Sequence, residues 1–473
     1  MPALLLLVPF AAGTILVLVS SRLLNRLFLL GTALLYLFII FVSGSVFEGK
    51  DTSWGQYFQL DGLGYFFLSV LAVVYAAAAL YSLYYFDEHG LTPRREALYS
   101  SALLFFLGAM AGVLTASHAA MLWVFMEATT LTSALLIYYE QQKASLEAAW
   151  KYIYICSVGI ALAFVGIILL SIAGKTIGSL FFSNLYRHAA EMNHFWLKLS
   201  FVFILVGFGT KIGLAPMHAW LPDAHSEAPS AVSALLSGAL LNTAFVGLLR
   251  IYKLMSAAGL KPFADKLMLG TGFLSLLVGA VFMLRVGSFK RMLAYSSIEN
   301  MGLLVISATL GKQGITAMLL QSIGHSFSKA GLFLTSGNIL HLYKTKKIDQ
   351  IHDLAAKEKI SATLWLLFIL AISGLPPFPS FWAKFILVAS LINAGFGTLL
   401  APFFIFLIYI FYAMTKTSMK MLYGGSSKEH ASASLPILAY LPQLILLLLL
   451  FLIGVLIPDR LTAMIDRIAA YFN

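Results

Sequence analysis

Residues 207–218 read Gly207-Phe-Gly-Thr-Lys-Ile-Gly-Leu-Ala-Pro-Met-His218, and they give the first indication of the fold class. It lies inside a long apolar run, yet it contains Lys211 and is interrupted by Gly213 and Pro216. Proline breaks the hydrogen-bond ladder of a helix, and a charged side chain is costly within a bilayer. Such a segment is tolerated only where protein or a water-filled cavity surrounds it. We therefore predict a broken membrane helix with a buried lysine.

A second interrupted stretch lies later in the chain. There Gly374-Leu-Pro-Pro-Phe-Pro-Ser-Phe-Trp-Ala is followed by Lys384. Two broken helices at corresponding positions in the two halves of a membrane protein are typical of transporters built from inverted repeats. Proline kinks that serve only helix packing are the alternative interpretation.

The composition supports a membrane location for the whole chain. Its 473 residues are 60% apolar and 11% charged, whereas soluble domains carry about 25% charged residues. Apolar runs long enough to cross a bilayer, about 20 residues each, begin near residues 3, 27, 62, 97, 119, 149, 198, 229, 264, 290, 313, 360, 398 and 435. We therefore predict an all-α polytopic membrane protein with about fourteen transmembrane helices.

Predicted helices 4 to 8 and 9 to 13 form two five-helix units, and the fourth helix of each unit, helix 7 or helix 12, is broken. An odd number of helices per unit makes the two units run in opposite directions, as inverted repeats do. We expect the first helix to be retained rather than cleaved as a signal peptide. The expected division is 1–90 for three N-terminal helices, 91–260 and 261–424 for the two repeats, and 425–473 for a C-terminal helix.

The basic residues predict the orientation. Of the 31 Lys and Arg residues, 17 lie in the odd-numbered connections and 11 in the even-numbered connections and the C-terminal segment. The positive-inside rule then places the odd connections in the cytoplasm and both termini on the outer face. The net charge of +11 is thus explained by the membrane, and we expect no nucleic-acid partner. The remaining three lysines, Lys211, Lys329 and Lys384, lie inside predicted helices.

These interior lysines have candidate partners. Glu127 lies well inside predicted helix 5, and His325 precedes Lys329 by four residues on one helix face. A Glu and a Lys that face each other in a wet membrane cavity gain or lose protons when the surroundings of either one change. The pattern indicates a proton relay, and a static ion-pair network that fixes helix packing is the alternative.

Cysteine and histidine content argues against a metal or cofactor site. The single cysteine, Cys156, excludes a disulfide framework and an iron–sulfur or zinc site held by cysteines. Near the first broken helix the polar residues form no compact ligand set, so proton uptake, helix capping or loop hydrogen bonds are favoured over a metal. These residues are His218, Asp223, His225 and Glu227.

Two acidic residues near predicted helix starts can be explained without a central role in the relay. Glu299 follows Arg291 at or just inside the start of predicted helix 10. It either extends a cytoplasmic proton path or is a solvated residue at the membrane interface. Asp61 opens predicted helix 3, where an acidic side chain stabilises the N-terminus of a helix.

Three blocks of sequence resemble a known family. Residues 211–236, KIGLAPMHAWLPDAHSEAPSAVSALL, resemble the antiporter-like, proton-translocating subunits of respiratory complex I, of Mrp-type cation/proton antiporters and of hydrogenase-4-like membrane complexes. Residues 289–302, FKRMLAYSSIENMG, and 325–333, HSFSKAGLF, are similar to further blocks of that family. The resemblance covers predicted helices 4 to 13 and is closest to the component F type of hydrogenase-4.

The resemblance implies a path for protons. Glu127 and Lys211 would form the pair of a first half-channel, His325 and Lys329 would lie on a central polar axis, and Lys384 would be the donor on the exit side. Electron transfer in a partner arm would perturb Glu127 and so push a proton along this path. The redox chemistry itself would take place outside this chain.

The chain departs from the family pattern at two positions. Asn242 stands where many relatives have a lysine, and Gln321 stands where some have a histidine. Neither side chain titrates near neutral pH, so the link between the half-channels would run through water or through His218. We also expect the chain to lack the long lateral C-terminal helix of the largest complex I relative.

These expectations combine into one function with two alternatives. The chain is expected to move protons, or sodium ions, as a multi-pass subunit of a redox-driven complex in a prokaryotic inner membrane. Its expected partners are other antiporter-like and small membrane subunits, the lipid bilayer, and a peripheral redox arm of the hydrogenase, formate dehydrogenase, carbon monoxide dehydrogenase or NADH type. The alternatives are a subunit of a Mrp-type Na⁺/H⁺ antiporter and a structural membrane subunit with static charges.

Overall fold

The computed structural model describes residues 2–46, 52–425 and 434–472, which are almost entirely helical. Their α-helices are α1 Pro2–Leu18, α2 Arg22–Val46, α3 Gly62–Glu88, α4 Pro93–Thr115, α5 Ala119–Ile137, α6 Lys143–Ala173, α7 Phe182–Arg187, α8 His194–Ile212, α9 Leu221–Glu227, α10 Ser230–Leu235, α11 Leu241–Ala257, α12 Lys261–Met283, α13 Phe289–Ala308, α14 Gly311–Tyr343, α15 Leu354–Lys357, α16 Lys359–Ser373, α17 Pro379–Asn393, α18 Leu400–Tyr423, α19 Leu441–Leu456 and α20 Asp459–Tyr471. Between α2 and α3, β1 Thr52–Trp54 and β2 Phe58–Leu60 pair as an antiparallel hairpin that we did not predict.

Within the described ranges, nine helices are long and apolar enough to cross a membrane, or ten if the bent pair of α19 and α20 forms one span. α13 and α14 are not among them because polar side chains such as Glu299 and Lys329 lower their hydropathy. Both helices are enclosed by other helices over most of their length, which keeps these side chains away from lipid. The protein is thus an all-helical membrane protein, and the count of fourteen spans stays a prediction.

The centre of the fold is α14, a single helix of 33 residues. It packs against α3, α10, α13, α16, α17 and α19, so it touches elements from both halves of the chain. Its residues are buried almost without interruption from Gly314 to Ile339. A helix in this position can carry polar groups through the membrane without exposing them to lipid.

Both expected helix interruptions are present. α8 ends at Ile212 and is followed by Gly213, whereas α16 ends at Ser373 and is followed by Gly374. The two glycines have φ angles of 80° and 87°, the left-handed conformation that commonly ends a helix and that glycine adopts without strain. The chain becomes helical again in α9 and α17, which leaves irregular backbone in the middle of each pair.

Two cations that we assigned to connections are in fact buried in helices. Lys290 is 1% exposed in the first turn of α13, and Arg250 is 4% exposed in α11. Both residues lie beside further polar residues in the sequence, so the local hydropathy predicts a connection at each position. Their assignment to connections was therefore wrong. Lys50 and Lys428, which also enter that count, lie outside the described residues.

Candidate functional site

Lys211 lies fully buried in the last turn of α8. Its Nζ donates hydrogen bonds to the hydroxyl oxygens of Thr130 on α5, at 2.9 Å, and of Tyr152 on α6. Ser133 Oγ is 2.6 Å from the Tyr152 hydroxyl and extends this group of hydroxyls along α5. A buried ammonium group is costly unless its donors are paired. These neutral oxygens pair the donors without cancelling the charge.

Glu127 lies on α5, three residues before Thr130, and is partly exposed. Its Oε2 accepts a hydrogen bond from Thr130 Oγ1 at 3.3 Å, and its Oε1 accepts one from Ser157 Oγ of α6 at 2.9 Å. Because Lys211 donates to the same Thr130 oxygen, one hydroxyl joins the carboxylate to the ammonium. The sequence suggested that Glu127 and Lys211 belong together, but it gave no sign of the intervening threonine.

His325 and Lys329 are fully buried on α14. Lys329 Nζ donates to the carbonyl oxygen of Leu293 on α13 at 2.6 Å. His325 Nε2 is 3.2 Å from the carbonyl oxygen of Ser237. A carbonyl only accepts, so this contact requires the hydrogen on Nε2. The Nδ1 of His325 is then free to accept a proton, and it has no hydrogen-bond partner among the described residues.

The two halves of the chain meet at α14 through residues of the helix that contains Asn242. Between α10 and α11 this helix has a π-helical segment, Leu236–Leu240. Such segments often occur at functional sites. Within it, Ser237 contacts both His325 and, at 2.8 Å, the hydroxyl of Ser297 on α13. Asn242 donates from Nδ2 to the hydroxyl of Ser326 at 2.6 Å.

Glu299 lies in the middle of α13 and is 2% exposed, so our alternative of a solvated interfacial residue is wrong. Its Oε2 accepts a hydrogen bond from Asn300 Nδ2 at 2.6 Å, and Asn300 Oδ1 accepts one from Gln321 Nε2 at 2.6 Å. Gln321 differs from the histidine that some relatives have at this position. It binds the side-chain amide of Asn300, and that amide in turn binds the carboxylate of Glu299. Glu299 Oε1 has no hydrogen-bond partner among the described residues.

Lys384 lies on α17 and reaches back across the helix break. Its Nζ donates to the carbonyl oxygens of Ser373 at 2.9 Å and Ile372 at 3.3 Å, at the C-terminal end of α16. Carbonyls in the last turn of a helix lack partners within the helix and carry the negative end of its dipole. Lys384 and Glu299 line the same small cavity, about 250 Å³ including its open mouth.

The polar residues after the first break lie on or beside α9, and the structure separates them. The His218 ring contacts the rings of Phe282 and Tyr295, with centroids 6.4 Å apart in each case. His225 is fully buried and stacks on Phe333 of α14 at 4.8 Å. Neither ring nitrogen of His225 has a hydrogen-bond partner among the described residues. The link that we considered through His218 therefore has no support from its contacts.

Asp223 and Glu227 of α9 pair with cations instead of with the histidines. Asp223 binds Arg291 on α13 and Lys151 on α6, and Glu227 binds Lys346 at 2.7 Å. The described residues hold no group of three or more His, Cys, Asp or Glu side chains arranged to bind a metal ion. These ion pairs tie α9 to the neighbouring helices at one end of the fold.

No sequence pattern indicates the contacts of Lys290 or the pairing of Arg250 with Asp61. Lys290 Nζ donates to the carbonyl oxygen of Ala228 at 2.9 Å, directly after α9. Arg250 donates to both carboxylate oxygens of Asp61, at 2.7 and 3.1 Å, and to the carbonyl oxygen of Leu114. Asp61 also caps α3, as predicted, by accepting from the Gly64 amide. No local pattern could pair residues 61 and 250, since 189 positions separate them.

Comparison with known proteins gives consistent matches. The family described as "NADH:quinone oxidoreductase/Mrp antiporter, TM" matches residues 116–410. The hydrogenase-4 component F homolog of Methylacidiphilum infernorum (isolate V4) is 34% identical over 439 residues, which cover 90% of this chain and 91% of that protein.

Solved structures agree with this fold. A chain of the membrane-bound sulfane sulfur reductase, an archaeal respiratory membrane complex, has a TM-score of 0.89 at 22% identity and covers 100% of this chain and 97% of its own. A chain of the Mrp complex from Dietzia sp. DQ12-45-1b has a TM-score of 0.87 at 20% identity, with coverages of 99% and 96%.

The family match contains the broken helices and the interior charges Glu127, Lys211, Glu299, Lys329 and Lys384. It extends over more than half of the chain, and the relative at 34% identity covers almost all of it. These matches confirm the resemblance noted in the sequence. The chain therefore belongs to the NADH:quinone oxidoreductase/Mrp antiporter transmembrane family and is an antiporter-like, polytopic membrane protein.

Proposed function

We propose that this chain carries protons across a prokaryotic cell membrane along a relay of buried side chains, as one subunit of a redox-driven complex. The observation that carries the proposal is the set of three interior lysines, two fully buried and Lys384 partly buried, each held by neutral oxygens rather than by a direct carboxylate partner. A lysine held in this way keeps its charge at an electrostatic cost. It is therefore ready to release its proton when its surroundings change.

The first step of the relay involves Glu127, Thr130 and Lys211. A hydroxyl that accepts from one group while donating to another can pass a proton between them. When the charge on Glu127 changes, the free energy of the protonated Lys211 changes as well, because opposite charges stabilise each other across a short distance in a low-dielectric medium. Glu127 is partly exposed on this chain, so a neighbouring subunit could act on it directly.

The second step crosses from the first half of the chain to α14. Buried polar atoms without a partner, Asn242 Oδ1 and His325 Nδ1, are present on the two helices that meet there. Ordered water commonly satisfies such atoms. We propose that water joins Lys211 to His325 past Asn242, which takes over the place that a lysine fills in many relatives.

The last step leads from Lys329 through Glu299 to Lys384. The carboxylate of Glu299 interacts electrostatically with both lysines. His225 interacts with Lys329, Lys290 and His325, so we propose it as the proton input from the cytoplasmic side. His218 is the weaker candidate for this role, since its ring packs against the aromatic rings of Phe282 and Tyr295.

The proposal includes the membrane arrangement expected from the sequence. Fourteen spans, inverted repeats at 91–260 and 261–424, and both termini on the outer face would make the two broken helices counterparts of opposite direction. Similar glycine caps at Gly213 and Gly374 support this symmetry. The two lysines differ in one respect, since Lys211 precedes its break whereas Lys384 follows it.

The names of the relatives favour a redox-driven complex and leave an antiporter as the second candidate. A hydrogenase-4 component F homolog and a chain of a respiratory sulfane sulfur reductase complex favour a peripheral redox arm as one partner. We propose other antiporter-like and small membrane subunits as the further partners. The family description also names Mrp antiporters. A Na⁺/H⁺ antiporter subunit driven by an ion gradient is therefore the second candidate.

The test uses the assembled complex in vesicles that contain a pH-sensitive dye. We expect Glu127→Gln, Lys211→Ala and Lys384→Ala each to abolish proton movement driven by the complex's electron donor, while subunit composition stays unchanged. Lys359→Ala is the matched control because Lys359 is exposed at the start of α16. Normal proton movement in all three variants would identify the charges as static. Movement that follows an imposed Na⁺ gradient but never the electron donor would favour the antiporter.

A further inference from the structure

The cavity that Glu299 and Lys384 share is lined by oxygen atoms as well as by charges. Glu299 Oε1 and Ser373 Oγ are both buried and have no hydrogen-bond partner among the described residues. The carbonyl oxygens of Ile372 and Ser373 also face Lys384, which donates to them at 3.3 and 2.9 Å. Three residues that line this cavity thus supply four oxygens, of which two hold the Lys384 ammonium group and two have no partner among the described residues.

Two of these oxygens belong to the end of an interrupted membrane helix. The last carbonyl oxygens of α16 accept no hydrogen bond from an amide of the same helix, and they carry the negative end of the helix dipole. Small cations prefer oxygen ligands, and broken membrane helices supply such carbonyls to cations at bilayer depth. Glu299 adds the negative charge that a bare cation requires.

We propose that this cavity binds a small alkali cation, for which Na⁺ is the probe, in exchange for the proton and the hydrogen bonds of Lys384. The ligands are Glu299 Oε1, Ser373 Oγ and the carbonyl oxygens of Ile372 and Ser373, with water completing the shell. Lys384 gives up one proton and leaves the carbonyls as a neutral amine. The charge of the site is the same before and after the exchange.

The neighbouring charges are compatible with this exchange. Lys384 shares the cavity with Glu299 of α13, and the Glu299 carboxylate interacts electrostatically with both Lys384 and Lys329 of α14. The remaining described side chains that line the cavity, from α16 and α18, are neutral. Phe411 of α18 is exposed at 43%, so the cavity lies close to the surface of the chain.

The inference rests on the proposed function in that Lys384 is the last member of the relay, but its test needs no turnover. Binding of ²²Na⁺ to the purified complex is measured by scintillation proximity between about pH 6 and pH 9. We expect unlabelled Na⁺, and not choline, to displace the label. Affinity should rise about tenfold for each pH unit while Lys384 is protonated, because one proton leaves for each cation bound.

Three variants separate the site from general effects. Ser373→Ala removes one ligand, leaves every charge in place and should weaken binding about tenfold, the loss expected for one good polar contact. Ser390→Ala on α17 is the matched control, since its hydroxyl bonds only to the carbonyl of Ile386 in its own helix. Lys384→Met removes the competing ammonium group, so Na⁺ binding should depend less on pH than in the unchanged protein.

Two results would overturn the proposal. One is that, at every pH tested, the complex binds no ²²Na⁺ that unlabelled Na⁺ can displace. The other is equal affinity in the Ser373→Ala and Ser390→Ala proteins. A failure of the relay proposal is a separate result. It would appear as normal proton movement in vesicles with the Glu127→Gln or Lys211→Ala protein, whether or not Na⁺ binds at Ser373.

Discussion

Lys211 donates a hydrogen bond of 2.9 Å to the Thr130 hydroxyl, and that hydroxyl is also the donor to the carboxylate of Glu127. The pair at the first broken helix is therefore held apart by one hydroxyl group. A direct ion pair in a buried site is hard to separate. The intervening threonine keeps the two charges in contact while letting each change its protonation separately.

We predict that Thr130→Val slows proton movement at least about tenfold while the complex still assembles. Valine has nearly the same shape but lacks the hydroxyl, and a hydrogen bond to a charged group contributes about 1.5–3 kcal/mol. The measurement is the rate of dye response for each donor molecule oxidised. Thr130→Ser should restore the rate, and Thr132→Val should not change it, because Thr132 bonds to carbonyls of its own helix. An unchanged rate in Thr130→Val would remove the hydroxyl from the pathway.

We predict that Asn242→Leu also stops or strongly slows proton movement. Leucine fills a similar volume, but it removes the amide that bonds Ser326 beside His325. A buried polar group left unpaired costs about 1–3 kcal/mol, so stability should fall only modestly. Thr243→Val tests the adjacent position, where the hydroxyl bonds only to the carbonyl of Ala239 in the preceding turn. Equal rates in the two variants would place the crossing elsewhere.

We predict that Asp61→Asn lowers the free energy of unfolding of the chain by about 3–5 kcal/mol, the usual cost of leaving a buried charge without its partner. Arg250 would lose its carboxylate while remaining enclosed, with side-chain exposures of 5% for Arg250 and 17% for Asp61. Stability is read from the fraction of monodisperse protein that remains after heating. The double variant Asp61→Asn with Arg250→Met should be less damaging than Asp61→Asn alone, because no unpaired charge remains.

An exposed ion pair provides the comparison for that experiment. Lys312 and Asp466 are 3.6 Å apart, and their side chains are 58% and 57% exposed. Surface pairs contribute about 0–1 kcal/mol, so Lys312→Ala should leave stability almost unchanged. If Asp61→Asn were equally mild, the Arg250 guanidinium would have another source of stabilisation.

We predict that Lys290→Met impairs both assembly and proton movement, whereas Lys290→Gln preserves both to within about twofold. The Lys290 ammonium donates to the carbonyl of Ala228 at the end of α9, and glutamine keeps a donor there while methionine does not. Stability and dye response are measured in parallel. A Lys290→Gln protein that assembles but fails to move protons would instead make Lys290 a member of the relay.

Local signals in the sequence account for the features that were predicted well. Proline and glycine beside Lys211 and Lys384 act on the backbone within a few residues, and a lysine inside an apolar run needs no distant information to be noticed. Helix positions follow from the length of apolar runs. For these reasons the broken helices and the three interior lysines were visible before the fold was known.

Features created by packing were not visible in the same way. Glu299 looked interfacial because polar residues surround it in the sequence, yet α12 and α14 cover α13 on both sides. Lys290 looked like a loop cation for the same reason. The roles of Thr130 and Ser237 depend on partners in other helices, and a hydroxyl inside an apolar helix gives no sequence signal of its own.

The long central helix α14 also limits how this protein can change over evolutionary time. Gln321, His325 and Lys329 recur every four residues along one side of α14 and reach three different neighbours, Asn300, Ser237 and Leu293. One inserted or deleted residue turns everything beyond it by about 100° around the helix axis. Substitutions can be absorbed one at a time in such a helix. A change of length between positions 321 and 329 would put all later contacts out of phase at once, so relatives should vary here in composition and never in spacing.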